Sequence, residues 1–169
     1  MCTQNLWRAI GGVGRLPLRG QPVNQRAHLR AWSARELFTP AGRFVVGLEE
    51  TTYLTVVCPL LELPDFLRSF AASVATALAA LPVPDDVCEA EAWAIIEDSE
   101  FAKNDNRSLL GSLNDVAFHV DTLLHYERRV NLAALEHVQS QLNHMPHVGR
   151  EPAFPDDAAR LLFAPASSA

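Results

Sequence analysis

The side chains best suited to recognise a charged ligand lie in one polar segment, residues 98–115. The run DSEFAKNDNRSLLGSLND is the densest set of hydrogen-bonding side chains in the chain. It contains two cations, Lys103 and Arg107, and leads into a helical period whose first backbone amides would carry partial positive charge. The segment therefore predicts an anion- or nucleotide-binding pocket, with Arg107 as its main contact. The other predicted ligand-binding residues are Asn104, Asn106, Ser108, Ser112, Asn114 and Asp115.

A second interpretation of the same segment is structural. Asn104, Asn106 and Ser108 are residue types that cap helices, and charges beside a cap are commonly solvated. The polar residues would then form a network that ties the helix to the loop before it, with no ligand. The sequence leaves both interpretations open.

Asp115 and His119 suggest a different chemistry, because residues four apart on a helix share one face. A carboxylate that accepts a hydrogen bond from an imidazole fixes its tautomer and raises its basicity. With Arg107 and Lys103 nearby, this pair could act as a general base in a small hydrolase for phosphorylated or nucleotide substrates. A Ser-His-Asp triad with Ser112 is disfavoured, because a serine on a helix lacks the strained turn and adjacent oxyanion donors. We expect a regulatory or partner-binding module in preference to an enzyme.

The histidines and cysteines predict neither a metal nor a cofactor. Five of the six histidines fall between residues 119 and 147, but His144 and His147 have no acidic residue at ligand-like spacing. Cys2, Cys58 and Cys88 are an odd number without a CxxC motif, so we expect three unpaired thiols in a reducing cytoplasm.

Composition limits the classes of protein and partner. The chain has 169 residues, of which 49% are hydrophobic, and this is enough for one soluble domain. Its net charge of −6 argues against nucleic acid as a partner, and no apolar run is long enough to cross a membrane. A protein partner or a small anionic ligand remains, and the oligomeric state stays open. We expect a single α+β domain at 1–150 and a Pro-rich, mostly irregular tail at 151–169, with one helical turn at 158–163.

The elements that would position the polar segment form an α+β fold. Alternating apolar residues and short turns predict an antiparallel meander of three or more strands, at 28–37, 43–48 and 52–58. Three main helices are predicted at 64–81, 107–126 and 131–142, and a short helix opens the chain and stops at Gly11. Strand propensity favours a further strand at 92–97.

The helix at 107–126 carries a pattern of its own. Leu109, Leu113 and Val120 form an apolar face, and Phe118 lies opposite, which predicts packing on two sides. Gly111 costs about 1 kcal/mol relative to alanine in a helix, which predicts the close approach of another backbone or a ligand.

The stretch from Lys103 to Asp115 closely resembles the polar stretch of an uncharacterised bacterial family, number 6933 among the domains of unknown function. Other matching parts follow in order: the opening residues 2–6, the Trp32 strand, Thr51-Thr52 and the run 143–146. The resemblance covers most of the chain and implies a bacterial or phage-borne cytoplasmic protein. It implies no activity.

Overall fold

The computed structural model describes residues 4–11, 27–104, 106–125 and 130–164, and these form an α+β fold. One antiparallel sheet has its strands in chain order, so the predicted meander is confirmed. The strands are β1 (Trp32–Thr39), β2 (Gly42–Glu49) and β3 (Thr55–Pro59), and the described helices are α1 (Gln4–Ala9), α2 (Asp65–Ala79), α3 (Asp85–Asp98), α4 (Arg107–Leu124), α5 (Leu132–Asn143) and α6 (Pro155–Phe163).

The sheet is covered on both faces, and the two-residue period of its strands divides the core into two layers. Val45 of β2 and Val56 of β3 pack with α1, α2 and α3, whereas Val46 and Val57 pack with α4 and α5. Gly47 lies on the α2 side, where a Cβ would stand 2.5 Å from the ring of Phe70. The sheet thus holds α2 on one side and α4 with α5 on the other.

Side-chain amides from α5 close the edge of the sheet at β3. Asn143 accepts a hydrogen bond from the Thr55 amide at 2.7 Å and donates to the Thr55 carbonyl at 3.0 Å. Gln139 accepts from the Val57 amide at 3.0 Å and donates to the Ser73 carbonyl at 3.1 Å. These amides occupy backbone groups that an edge strand would otherwise present to another chain.

The strand predicted at 92–97 is wrong, because these residues belong to α3. Cys88, Glu91 and Ile95 recur at helical spacing and are buried. Glu91 accepts hydrogen bonds from the amides of His28 at 2.6 Å and Leu29 at 3.1 Å, which holds the segment before β1. This packing outweighs the strand propensity of Trp93, whose side chain stays exposed on the outer side of α3.

The chain near its carboxyl end is more regular than the single turn predicted at 158–163. Pro155 stands in the first turn of α6, where its missing N–H costs nothing, and two aspartates follow it. Ala159 is fully buried in the α2-side core. Prolines in a Pro-rich stretch predict irregular structure, but Pro155 begins a helix.

The expectation that α4 packs on two sides is also wrong. Leu109, Leu113 and Val120 are buried against the sheet and α5, as its apolar period requires. Phe118, on the opposite face, is 69% exposed, and a Cβ on Gly111 would meet no atom within 4 Å. α4 therefore presents an open outer face, and no described backbone approaches its glycine.

Candidate functional site

The loop before α4 is fixed to the sheet by Asn104. The buried Asn104 side chain donates to the Ser33 hydroxyl of β1 at 2.8 Å and accepts from the Asn106 amide at 3.1 Å. Ser33 is itself fully buried. Asn104 thus has a structural role, because both ends of its amide are used within the fold.

Asn106 caps the helix. Its side-chain oxygen accepts from the Leu109 amide at 3.1 Å, and its backbone is extended, as at an N-cap. The cap leaves the first two amides of the helix, those of Arg107 and Ser108, with no acceptor among the described residues. These two N–H groups lie at the positive end of the helix dipole.

The two predicted cations flank the Asn106 cap along the chain. Lys103, Arg107 and Ser108 are exposed, and within the described ranges their side chains make no hydrogen bond or ion pair. Asp105 lies outside the described residues. Among the described residues, no acidic side chain therefore pairs with either of these cations, in a protein whose net charge is −6.

Asn114 belongs to a second, separate contact. Its side-chain oxygen accepts a hydrogen bond from Nη1 of Arg35, a residue of β1. Ser33 and Arg35 both lie on the α4 side of the strand, by its two-residue period. The alternation of β1 was the signal that could have identified Arg35, which the sequence analysis missed. The half-buried Ser112 makes no described contact with either group.

The pair Asp115 and His119 is exposed on α4, and no hydrogen bond joins the two side chains. Both act electrostatically on His147, whose pKa lies below its ordinary value. Burial is the main cause, followed by the positive charge of Arg150; Asp115 opposes the shift and His119 adds to it. α4 and the loop after α5 thus bring three titratable side chains close together.

Tyr53 contacts the His147 side of this cluster and has an unusual backbone conformation. Its φ is +63°, a left-handed value that is strained for a bulky side chain. The guanidinium of Arg150 lies 3.9 Å from the ring centroid, and the His147 ring meets it edge-on at 4.9 Å. Arg150 also donates to the Thr51 carbonyl.

The turn before Tyr53 is held by Glu49, a buried carboxylate. Its Oε2 accepts from the Thr51 amide at 2.8 Å, and from the Thr52 amide at 2.6 Å and hydroxyl at 2.9 Å. Burial raises the pKa of Glu49, and these hydrogen bonds oppose the rise. Thr51 and Thr52 therefore serve the turn itself.

A concave site lies elsewhere, between α2, α5 and α6. It is a pocket of about 280 Å³ with an apolar floor that includes Leu54, Ala77 and Leu81. Its polar wall consists of Thr76, Glu136, Gln139, Ser140, Asn143, His144, Asp156 and Arg160. The sequence analysis did not predict this pocket, because its wall includes a helix, α6, that the sequence pattern left mostly irregular.

The two described cysteines are buried thiols of low reactivity. Cys58 and Cys88 are free thiols, and burial raises the pKa of Cys58 to about 12. The pKa of Cys88 is raised by burial and by the nearby Asp85 carboxylate. Cys2 lies outside the described residues.

Neither a metal centre nor a spanning helix occurs in the described parts of the chain. No three His, Cys, Asp or Glu side chains there come close enough together to hold a metal ion. None of the helices described is both long and apolar enough to cross a lipid bilayer.

The fold and its polar surface define an α+β domain of three antiparallel strands between two layers of helices, with its densest polar segment at the start of α4. The model of a domain of unknown function, DUF6933, matches residues 1–158, so the chain belongs to this family. Comparison with curated proteins and with solved structures gave no match.

Proposed function

We propose that this protein is a binding module that recognises an anionic group, on a small ligand or a protein partner, at the start of α4. The observation that carries the proposal is the exposed pair Lys103 and Arg107 beside two amides and the Ser108 hydroxyl, none with a partner among the described residues. Helix amides and guanidinium groups together are the usual donors to phosphate and carboxylate.

The backbone at the start of α4 is held by contacts within the fold. Asn104 fixes the loop to Ser33 of β1, and Asn106 fixes the first turn of α4. A ligand therefore does not have to order the loop backbone, and a preordered site loses less free energy on binding.

The charge of the whole chain limits the affinity. With a net charge of −6, the protein repels an anion at long range, and the local cations must act at contact distance. We expect micromolar to millimolar affinity that falls as salt is added.

The proposal is tested with pyrophosphate as the probe, titrated into ¹⁵N-labelled protein. Arg107→Gln should weaken binding at least tenfold and leave the melting temperature unchanged, because Arg107 makes no described contact that the substitution could break. Arg8→Gln is the matched control, since it removes the same charge from the exposed Arg8 of α1 and should leave binding unchanged. Equal loss in both variants, or no loss with Arg107→Gln, would remove the proposed site.

A second candidate function is a small hydrolase for phosphorylated or nucleotide substrates, with Asp115 and His119 as its general-base pair. The grouping of Asp115, His119 and His147 beside the strained Tyr53 favours it, because strained residues and titratable side chains often occur together in active sites.

The hydrolase is tested with bis(p-nitrophenyl) phosphate. If His119 is the base, His119→Gln should lower the rate by roughly 10²-fold or more. His137→Gln, on the exposed side of α5, is the control and should not change the rate. Hydrolysis that survives His119→Gln, or that the wild type does not catalyse, would contradict this candidate.

A further inference from the structure

The pocket between α2, α5 and α6 has a wall built from one stripe of α5. Glu136, Ser140 and His144 follow at four-residue spacing and all line the pocket. Gln139 and Asn143, one position earlier in each turn, point their amides at β3. α5 therefore binds the sheet edge with one pair of side chains and offers the neighbouring stripe to the pocket.

Asp156 anchors the opposite wall. The carboxylate is almost fully buried, with Oδ2 at 2.9 Å from Nδ1 of His144 and at 3.3 Å from Nη2 of Arg160. A nitrogen this close to a carboxylate oxygen must carry a proton, because two lone pairs would repel. Nδ1 of His144 is therefore the protonated nitrogen, and in the neutral ring Nε2 is left as an acceptor.

The single guanidinium of the pocket is already neutralised. Arg160 contacts Asp156 and also donates to Asp157 at 2.7 Å. Glu136, by contrast, is exposed and has no ion pair or hydrogen bond among the described residues. Two carboxylates, those of Glu136 and Asp156, thus face one guanidinium in the wall, and Glu136 is the carboxylate that has no partner among the described residues.

The floor of the pocket is apolar. Leu54, Ala77 and Leu81 are buried side chains whose surfaces face the cavity. The volume of about 280 Å³ is of the size that holds a small organic molecule and is larger than isolated water sites. An apolar floor together with the Glu136 carboxylate suits a ligand with an apolar body and a hydrogen-bond-donating cation.

We propose that this pocket binds a small organic amine, with its ammonium group paired to Glu136 and its apolar body on the Leu54 floor. The inference is independent of the anion-binding proposal, because the two sites share no residue. A ligand that carries a carboxylate or phosphate is disfavoured, because the unpaired negative charge of Glu136 would repel it.

The probe is benzylamine, titrated into ¹⁵N-labelled full-length protein with chemical shifts as the readout. Benzylamine should give saturable shifts at the amides of Ser140 and His144. Benzyl alcohol, its neutral analogue, should bind at least tenfold more weakly, and benzoate should not bind. Equal affinity for the amine and the alcohol would mean that the pocket binds only the apolar ring, which contradicts the proposed ammonium pairing. Tighter binding of benzoate would also overturn the proposal, as would the absence of a saturable shift with benzylamine.

Two variants that each remove one negative charge test whether Glu136 is the group that attracts the amine. Glu136→Gln should weaken benzylamine binding at least tenfold without changing the binding of benzyl alcohol or the melting temperature, because Glu136 is exposed. Glu89→Gln removes the same charge from an exposed position of α3 that does not line the pocket, and it should leave both affinities unchanged. An equal effect of both variants would mean that net charge, and not this pocket, attracts the amine.

Discussion

The start of α4 and the pocket between α2, α5 and α6 are polar in opposite ways. At the start of α4 the groups without a partner among the described residues are two cations, two amides and a hydroxyl on an exposed surface. In the pocket the charged group without such a partner is the Glu136 carboxylate, and the pocket floor is apolar. The comparison shows that the number of polar side chains is a poor guide to a site, and the two proposed ligands are inferred from the groups that have no partner among the described residues.

Each region also contains asparagines that the fold uses completely. Asn104 joins the loop before α4 to β1, and Asn143 joins α5 to the edge of β3. These amides belong to the framework around each proposed site, and they are distinguished from the proposed binding groups by their burial and their internal partners.

The largest expected effect comes from breaking these framework contacts. Asn143→Ala leaves the amide and carbonyl of Thr55 unpaired at a buried edge, and Asn104→Ala leaves the Ser33 hydroxyl unpaired. Each should cost about 1–3 kcal/mol, with Asn143→Ala the larger, and should lower the melting temperature by several degrees.

The matched controls for this prediction are Gln141→Ala on the exposed side of α5 and Lys103→Ala beside the α4 cap, both expected within about 0.5 kcal/mol of wild type. Thermal and urea unfolding measure all four. Equal stability of Asn104→Ala and Lys103→Ala would contradict the division between framework and binding groups.

A smaller effect concerns the cluster around Tyr53. His147 has a lowered pKa, so as the pH falls below about 6.5 the unfolded chain takes up a proton before the folded chain does. The stability that His147 contributes is therefore present above that pH and is lost as the pH falls through its folded pKa. Urea unfolding between pH 7.5 and 5 should show this loss in the wild type and a shallower one in His147→Gln. Parallel profiles would show that His147 is as solvated in the folded chain as in the unfolded one.

The smallest expected effect is a gain in stability. Gly111→Ala should stabilise the protein by roughly 0.5–1 kcal/mol, because the glycine is exposed on a regular helix and a Cβ there meets nothing. Thermal unfolding checks this. A loss of stability would mean that part of the chain outside the described residues covers the outer face of α4.

Local patterns predicted much of this architecture, and long-range contacts supplied the rest. The apolar alternation of β2 and the period of α4 were sufficient for the meander and the helix, because both are repeated signals within one segment. The segment 92–97 was predicted wrongly because its helical state depends on Glu91 binding the amides before β1, 62 and 63 positions earlier in the chain.

The residues of the candidate sites also divide into those that a local pattern identifies and those that depend on long-range contacts. Asn106 was identifiable as a cap from its neighbours, whereas Arg35 meets Asn114 across 79 positions. The pocket required α6 to fold back onto α5, and no local pattern states that Asp156 will lie beside His144.

The most direct test of the account is one ¹⁵N–¹H correlation experiment in which pyrophosphate and then benzylamine are added to the same sample. The account predicts two separate sets of shifted amides, Arg107 and Ser108 with pyrophosphate, and Ser140 and His144 with benzylamine, each unaffected by the other ligand. A single shared set of shifts, or pyrophosphate shifts at the pocket and benzylamine shifts at α4, would contradict the assignment of opposite charges to the two regions.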